Sequence, residues 1–287
     1  MSATLATRRV AAAFQVNPLS ARFAAEVVGL DLRQPLDAAT KSAIYDAFIR
    51  YHVLCFRDQH MDQDEQVAFS LQFGTLERHT LRNRGKLNPL VHVVSNLGQD
   101  EKPSGKMKST GWHTDKSFRP EPSLATILHA VTMPPDGGDT VFADMSAAYD
   151  ALSDSEKRAL DGVRVIHSWE LSREHDRVKP SAEEIAEAPP HSHPLVRVHP
   201  DTGRKSLFIG QHCSHIDGMS VEDGRPPILE LEHHATHEQF TYRHKWHTGD
   251  MLMWDNRCLL HRADPNFDAA QHPRVLHRTC LRGTTPL

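Results

Sequence analysis

A histidine and an aspartate two residues apart in an extended stretch leave the backbone on one face, where they can fill two positions of a single metal ion. Trp112-His113-Thr114-Asp115 offers such a pair. With a third ligand from elsewhere it would make a facial triad, two histidines and a carboxylate, with the opposite face open to substrates. The spacing alone decides little. With 21 histidines in 287 residues, chance supplies about 1.6 such pairs. His60/Asp62, His199/Asp201 and His215/Asp217 have the same spacing. Asp62 precedes a helical pattern with Glu65 three residues on, an N-cap signature. Asp201 lies in Pro200-Asp201-Thr202-Gly203 and Asp217 precedes Gly218, both turn signals. Only the pair at 113 and 115 has neither a cap nor a turn to explain it.

A second stretch with chemical content lies near the C-terminus: Trp254-Asp255-Asn256-Arg257-Cys258-Leu259-Leu260-His261-Arg262, then Pro273-Arg274-Val275-Leu276-His277-Arg278. Arg274 and Arg278 are four apart, and even spacing in a strand points both guanidinium groups to one face. Two inward arginines beside a metal suit carboxylates and other oxyanions, which the planar fork grips bidentately. His261 by itself reads as a core histidine beside Trp254.

In chain order, Trp112-His113-Thr114-Asp115, Gly137-Gly138-Asp139-Thr140, the Trp254–Arg262 run and the Arg274/Arg278 pair resemble the TauD/TfdA family of Fe(II)- and 2-oxoglutarate-dependent dioxygenases. The resemblance covers roughly residues 17–283. It implies a double-stranded β-helix with iron at its mouth, held by His113, Asp115 and His261. It implies that the Thr140 hydroxyl and Arg274 bind the distal carboxylate of 2-oxoglutarate, which is decarboxylated to succinate and CO2 as O2 is consumed. Arg278 matches an arginine near the substrate's anionic group. His79 matches a histidine that holds the sulfonate or sulfate in the taurine and alkylsulfate branch. The region 192–262, with Ser206-Leu207-Phe208-Ile209-Gly210 and Tyr242-Arg243-His244, is closer to the phenoxyacetate branch. The substrate therefore stays open among sulfonate, alkyl sulfate and aryloxyalkanoate. The family resemblance also implies a dimer or tetramer. The interval from His261 to Arg274 is a residue or two longer than the resemblance leads one to expect.

The elements that must position these residues can be read from periodicity. Asn17 to Leu32 is patterned as a strand pair with Gly29 at a turn. Ala38 to Tyr51 is a helix by its apolar spacing at Ile44, Ala47, Phe48 and Tyr51. Val53 to Phe56 is a buried strand. A helix from about Asp64 to Phe73 is closed by Gly74, where a left-handed residue is wanted. Ser153 and Glu156 form a capping box. Strands are expected at 91–94, 124–131, 140–143, 163–168, 240–246, 251–254, 258–261 and 275–281. A hairpin is expected around Thr202-Gly203, and a helix from Pro226 to about His237. Many short strands and few helices argue for an α+β, mainly β chain: a β-sandwich or jelly-roll core with helices packed outside. Residues 1–16 read as a flexible tail and 17–287 as one domain. The Pro- and Gly-containing stretches near 78–111 and 169–193 read as mobile lids, the first running directly into Trp112 and His113.

Composition sets the remaining bounds. A net charge of −4 gives no signal for nucleic acid. No apolar run is long enough for a membrane span, and no secretory leader is evident, so a cytoplasmic protein is expected. Cys55, Cys213, Cys258 and Cys280 have no metal-binding spacing and read as buried free thiols. Trp112 reads as packing beside the metal. Asn96 reads either as a ligand of 2-oxoglutarate or as structural, and Lys108 and Ser109 as loop residues able to face substrate. Two other classes stay in view: a metal-dependent hydrolase using the same triad, and a non-catalytic protein that binds small acids.

Overall fold

The computed structural model describes residues 14–78, 88–173, 179 and 181–287. In chain order its elements are β1 (Gln15–Pro18), β2 (Ala25–Val28), α1 (Ala38–Tyr51), β3 (Val53–Phe56), α2 (Gln63–Leu71), β4 (His92–Ser95), β5 (Ala125–Thr132), β6 (Thr140–Asp144), α3 (Met145–Asp150), α4 (Asp154–Ala159) and β7 (Arg164–His167). They continue with α5 (Ala182–Glu187), β8 (His191–Pro194), β9 (Val196–Val198), β10 (Lys205–Leu207), β11 (Cys213–Ile216), α6 (Val221–Gly224), α7 (Pro226–Ala235), β12 (Thr241–His244), β13 (Met251–Asp255), β14 (Leu259–Ala263) and β15 (Val275–Leu281).

A seven-stranded sheet has the order β1-β2-β3-β13-β5-β15-β4, antiparallel except where β2 meets β3. A three-stranded sheet has the order β12-β6-β14. Strand alternation builds the core between them. Along β13, Met251 and Met253 join Leu54 and Phe56 of β3 under α1 and α2, where Ile44, Phe48, Val67 and Phe69 cover them. Leu252 and Trp254 turn to the other face with Val53 and Cys55, and meet Phe142 of β6 and Leu259 of β14. The far side of β6 and β14 is covered through Ala143 and Leu260 by Met145, Leu195, Ile209, Ile228 and their neighbours. Both faces of β13 are thus apolar, so its five residues read as one continuous buried run.

Local signals account for most boundaries. Asp37 caps α1 by accepting from the Thr40 N–H. Asp62 and Glu65, and again Ser153 and Glu156, form reciprocal capping boxes at α2 and α4. Three expectations need correction. The β1–β2 hairpin turns at residues 19–24, where the Ser20 side chain bonds Phe23, and Gly29 follows β2 instead. α2 ends at Leu71 with Gln72 in the right-handed region, so Gly74 is not its cap. The tail does not extend to residue 16: residues 1–13 lie outside the described residues, while Gln15 and Val16 pair with Val28 and Val27, satisfying backbone groups that a free tail leaves to water.

Of the two stretches expected to act as lids, residues 79–87, 174–178 and 180 lie outside the described residues. Part of the rest carries regular structure. β4 pairs along the sheet edge with β15, and β8 pairs with β7. The irregular part beside the site is therefore 97–111. The four cysteines are buried and unpaired.

Candidate functional site

His113 and His261 sit directly opposite each other. The His113 N–H donates to the His261 carbonyl at 3.0 Å, and the His261 N–H donates back at 2.8 Å. Such a reciprocally bonded antiparallel pair places both side chains on one face, and the ring centroids are 4.2 Å apart. Asp115, two residues on, points the same way, with its Oδ2 3.8 Å from His261 Nε2. Donor atoms of the three side chains all lie within 4.8 Å of one another. Their exposures are 4, 4 and 6 %.

Their protonation suits a divalent cation. Burial pushes both imidazoles below the usual histidine range, so they are neutral and carry a lone pair. His113 Nδ1 lies 2.8 Å from the Gly111 carbonyl, to which it donates, leaving Nε2 as the ligand atom. Burial by itself would raise the Asp115 carboxyl. The Arg278 guanidinium, with the Thr126 hydroxyl, outweighs it and holds that carboxyl far below the usual range. Two neutral nitrogens and one anionic oxygen match the donor set of non-haem Fe(II).

Behind the carboxylate stands a network that motif reading missed. Thr126 of β5 donates to Asp115 Oδ2 at 2.6 Å. Its oxygen accepts from Asn256 Nδ2 at 2.9 Å, and Asn256 Oδ1 accepts from Trp254 Nε1 at 3.0 Å. Thr114 donates to the Asn256 carbonyl at 2.8 Å. Asn256 stood inside the Trp254–Arg262 run and could have been picked out. Thr126 carried no local signal, because an ordinary strand threonine becomes a partner only through sheet pairing. Thr126→Val keeps the shape but leaves Asp115 Oδ2 without its donor. The expected result is metal affinity lower by about ten- to a hundred-fold, read by titrating Mn(II) or Co(II) into the apo-protein.

The second predicted cluster also assembles. Arg274 is buried, its Nε donating to the Gly138 carbonyl at 2.9 Å and its Nη2 lying 3.5 Å from Thr140 Oγ1. Trp246 Nε1 donates to the same Thr140 oxygen at 2.9 Å, a contact the sequence did not suggest. Among the described residues no carboxylate lies within ion-pairing distance of Arg274. Asp139 acts on it from farther off and is itself paired with Arg243. Burial lowers the guanidinium to about 10, so it stays charged. A buried cation without a partner is costly, and a ligand carboxylate supplies what is missing. Gly138 has a φ of +69°, and a Cβ there would lie 3.3 Å from Arg274 Cδ, which explains the glycine.

Asn96, read as either a ligand of 2-oxoglutarate or structural, does not present its amide to a ligand: the amide is committed to the backbone of Ala269, His272 and Arg274. Arg274 precedes β15, and a register shift lies between Val275 and Leu276, so the two arginines are not simply successive positions on one strand face. Arg278 instead donates to Asp115 Oδ1 at 2.7 Å and contacts His92 Nδ1 at 2.9 Å. It lines the same cavity as the metal ligands, so it can touch substrate, but its first partner is a metal ligand. His79 lies outside the described residues.

The cavity beside the triad measures about 420 Å³. Cationic and imidazole groups reach it from Lys108, Lys116, His92, His212 and Arg278, and apolar surface comes from Val93, Phe118 and Trp169. Lys116 is already paired with Glu77 at 2.6 Å. Burial pushes His212 down to about 3. Trp112 packs under the Arg262 guanidinium at 5.2 Å, consistent with a packing role. Two other donor clusters, His52/Asp255/Cys258 and Cys55/His244/Asp250, are buried without bordering this cavity, and their carboxylates are held by Arg257 and Arg57.

Comparison with known proteins agrees with this geometry. Residues 15–280 match the family model described as taurine catabolism dioxygenase TauD, TfdA family. The chain is 41% identical over 280 residues to the alpha-ketoglutarate-dependent 2,4-dichlorophenoxyacetate dioxygenase of Cupriavidus pinatubonensis, covering 92% of this chain and 96% of that protein. It is 33% identical over 298 residues to the alpha-ketoglutarate-dependent sulfate ester dioxygenase of Pseudomonas putida, covering 100% of this chain and 95% of that one. Among solved structures, AAD-2 in complex with Mn(II) and N-oxalylglycine superposes with a TM-score of 0.83 at 38% identity, over 95% of this chain and 98% of that one.

Proposed function

Because the chain belongs to the TauD, TfdA family of dioxygenases, we propose that it hydroxylates a small anionic organic substrate of aryloxyalkanoate type, with alkyl sulfates or sulfonates as the second reading. It is a 2-oxoglutarate-dependent dioxygenase with Fe(II) as its metal. We assign His113, Asp115 and His261 as the iron ligands. Thr140 and Arg274 are assigned as the anchor of the distal carboxylate of 2-oxoglutarate, and Arg278, with His79, to the substrate's anionic group. The two facing sheets are read as a double-stranded β-helix, and residues 97–111 as the cover of the cavity. A cytoplasmic homo-oligomer, dimer or tetramer, completes the reading; no helix among the described residues is long and apolar enough to cross a membrane.

The observation that carries the reading is the pairing of a buried triad with a buried arginine that has no carboxylate partner of its own among the described residues. A metal-dependent hydrolase would leave Arg274 without a task, and so would a site that binds only small monoacids. Bound together, Fe(II) and 2-oxoglutarate activate O2, yielding succinate and CO2 and placing one oxygen atom in a substrate C–H bond. The protein's own contribution is placement. His113 and Asp115 would hold the metal from a single segment, and His261 would complete the triad from β14. Thr126 and Arg278 keep Asp115 ionised and fixed. Phe118 and Trp169 present an apolar wall suited to an aryl ring, and Lys108 and Arg278 present positive charge suited to its acid group.

An aerobic screen with Fe(II) and 2-oxoglutarate tests the substrate class, with succinate as the readout. 2,4-Dichlorophenoxyacetate and related aryloxyalkanoates are expected to give substrate-dependent succinate well above alkyl sulfates and taurine. Faster turnover of an alkyl sulfate would move the assignment to the second reading. Substrate conversion without O2 would overturn the oxidative reading.

A further inference from the structure

We propose that Asn96 is a positioning residue that ties the arginine anchoring 2-oxoglutarate to the segment covering the substrate cavity, so that order at one is transmitted to the other. The inference rests on the assignment of Arg274 above. Asn96 follows β4 and is buried. Its Nδ2 donates to the carbonyls of Ala269 and His272 at 3.0 and 2.9 Å, and its Oδ1 accepts from the Arg274 N–H at 2.7 Å. Its own backbone N–H donates to the Arg274 carbonyl at 3.2 Å. One side chain therefore spans the end of the loop that delivers Arg274. With its amide fully engaged, it acts on the cofactor through that arginine rather than by touch.

The other side of Asn96 holds the cover. Its carbonyl accepts from the Ser104 N–H at 2.9 Å and from the Ser104 hydroxyl at 2.6 Å. The Gly105 N–H donates to the Ala269 carbonyl at 3.1 Å, the same carbonyl that Asn96 grips. From there the chain runs through Met107, Lys108 and Ser109 along the cavity wall to Gly111, whose carbonyl orients His113. The Asp264–Arg274 side is pinned at its start as well: Asn266 Oδ1 accepts from the N–H groups of Gly138 and Asp139 at 2.8 and 3.2 Å, next to the carbonyl that holds Arg274 Nε. A long interval between His261 and Arg274 has many conformations to lose, and these two asparagines select one. A ligand that fixes either the loop or the cover favours the same set of hydrogen bonds, so binding at one site strengthens binding at the other by an equal factor.

The test uses full-length protein loaded with Mn(II) under anaerobic conditions, with 2-oxoglutarate as the probe. Calorimetry gives its affinity, and hydrogen exchange reports each segment. In the wild type, 2-oxoglutarate is expected to protect amides in 104–111 as well as in 266–274. Asn96→Ala should weaken 2-oxoglutarate about ten-fold, as the loss of several hydrogen bonds at one loop implies. Ser104→Ala is the milder variant if Asn96→Ala folds poorly; it should keep protection at 266–274 and lose it at 104–111. A purely structural Asn96 would lower the melting temperature and leave the affinity within two-fold, which overturns the proposal. So does wild-type protection confined to 266–274. If Arg274→Leu leaves 2-oxoglutarate affinity unchanged, the underlying assignment falls. If Arg274→Leu weakens it and Asn96→Ala does not, only the present inference falls.

Discussion

Replacing Asp115 with alanine is expected to remove substrate-dependent succinate formation by at least about three orders of magnitude and to remove tight metal binding with it. Two effects act in the same direction. The metal loses its only anionic protein ligand, leaving two neutral imidazoles. Arg278 also loses its carboxylate partner at 2.7 Å, and its partly buried guanidinium then stands uncompensated beside the cation. Breaking a buried pair on one side costs about 3–5 kcal/mol, and at the site that penalty opposes metal entry. The measurements are Co(II) or Mn(II) affinity of the variant, succinate release with Fe(II), and a near-UV spectrum to show that the fold survives. Wild-type turnover by this variant would remove Asp115 from the metal site. Asp115→Ala with Arg278→Met should recover part of the metal affinity, because the stranded charge goes with the carboxylate.

Arg274→Leu is expected to raise the dissociation constant of 2-oxoglutarate by about 10²- to 10³-fold, the penalty for leaving one carboxylate of a buried pair without its cation. The effect should depend on the ligand's far end. Pyruvate has the keto acid but no distal carboxylate, so it gains nothing from Arg274 and should bind the variant much as it binds the wild type. The preference for 2-oxoglutarate over pyruvate would then collapse. Arg274→Lys should fall between. A lysine keeps the charge but cannot bond Gly138 and Thr140 from one planar fork. Calorimetry on Mn(II)-loaded protein gives both constants, and an undiminished preference in Arg274→Leu would locate the anchor elsewhere.

The chemistry of this protein was written in local patterns because the ligands come in short runs. His113 and Asp115 are two residues apart, and an extended reading of that run was enough to bring them together, although only His113 bridges a strand and Asp115 already lies in a turn. The order of the four motif runs carried the family and, with it, the proposal of the triad and of the arginine anchor. Caps were equally legible, since Asp62 with Glu65 and Ser153 with Glu156 complete their hydrogen bonds within one helical turn.

What stayed hidden was set by contacts between residues far apart along the chain. The turn of the first hairpin and the start of β1 depart from the local pattern because a strand edge is decided by the partner it finds. Thr126 looked like any strand threonine until β5 paired with β13 and brought it under Asp115. Asn96 looked like a possible ligand until the loop before Arg274 folded over it and took all of its amide. Arg278 was expected at the substrate, yet with no ligand term in sequence spacing only packing could show that Asp115 claims it first. The sequence by itself determined which family the chain resembles and which side chains are candidates to hold iron and a dicarboxylate, since side-chain chemistry and the order of short motif runs are read along the chain. The tertiary structure alone decided that His113 and His261, about half the chain apart, exchange hydrogen bonds face to face, because that single bridge forms only where the segment before Asp115 is laid against β14, and no local pattern in either stretch dictates it.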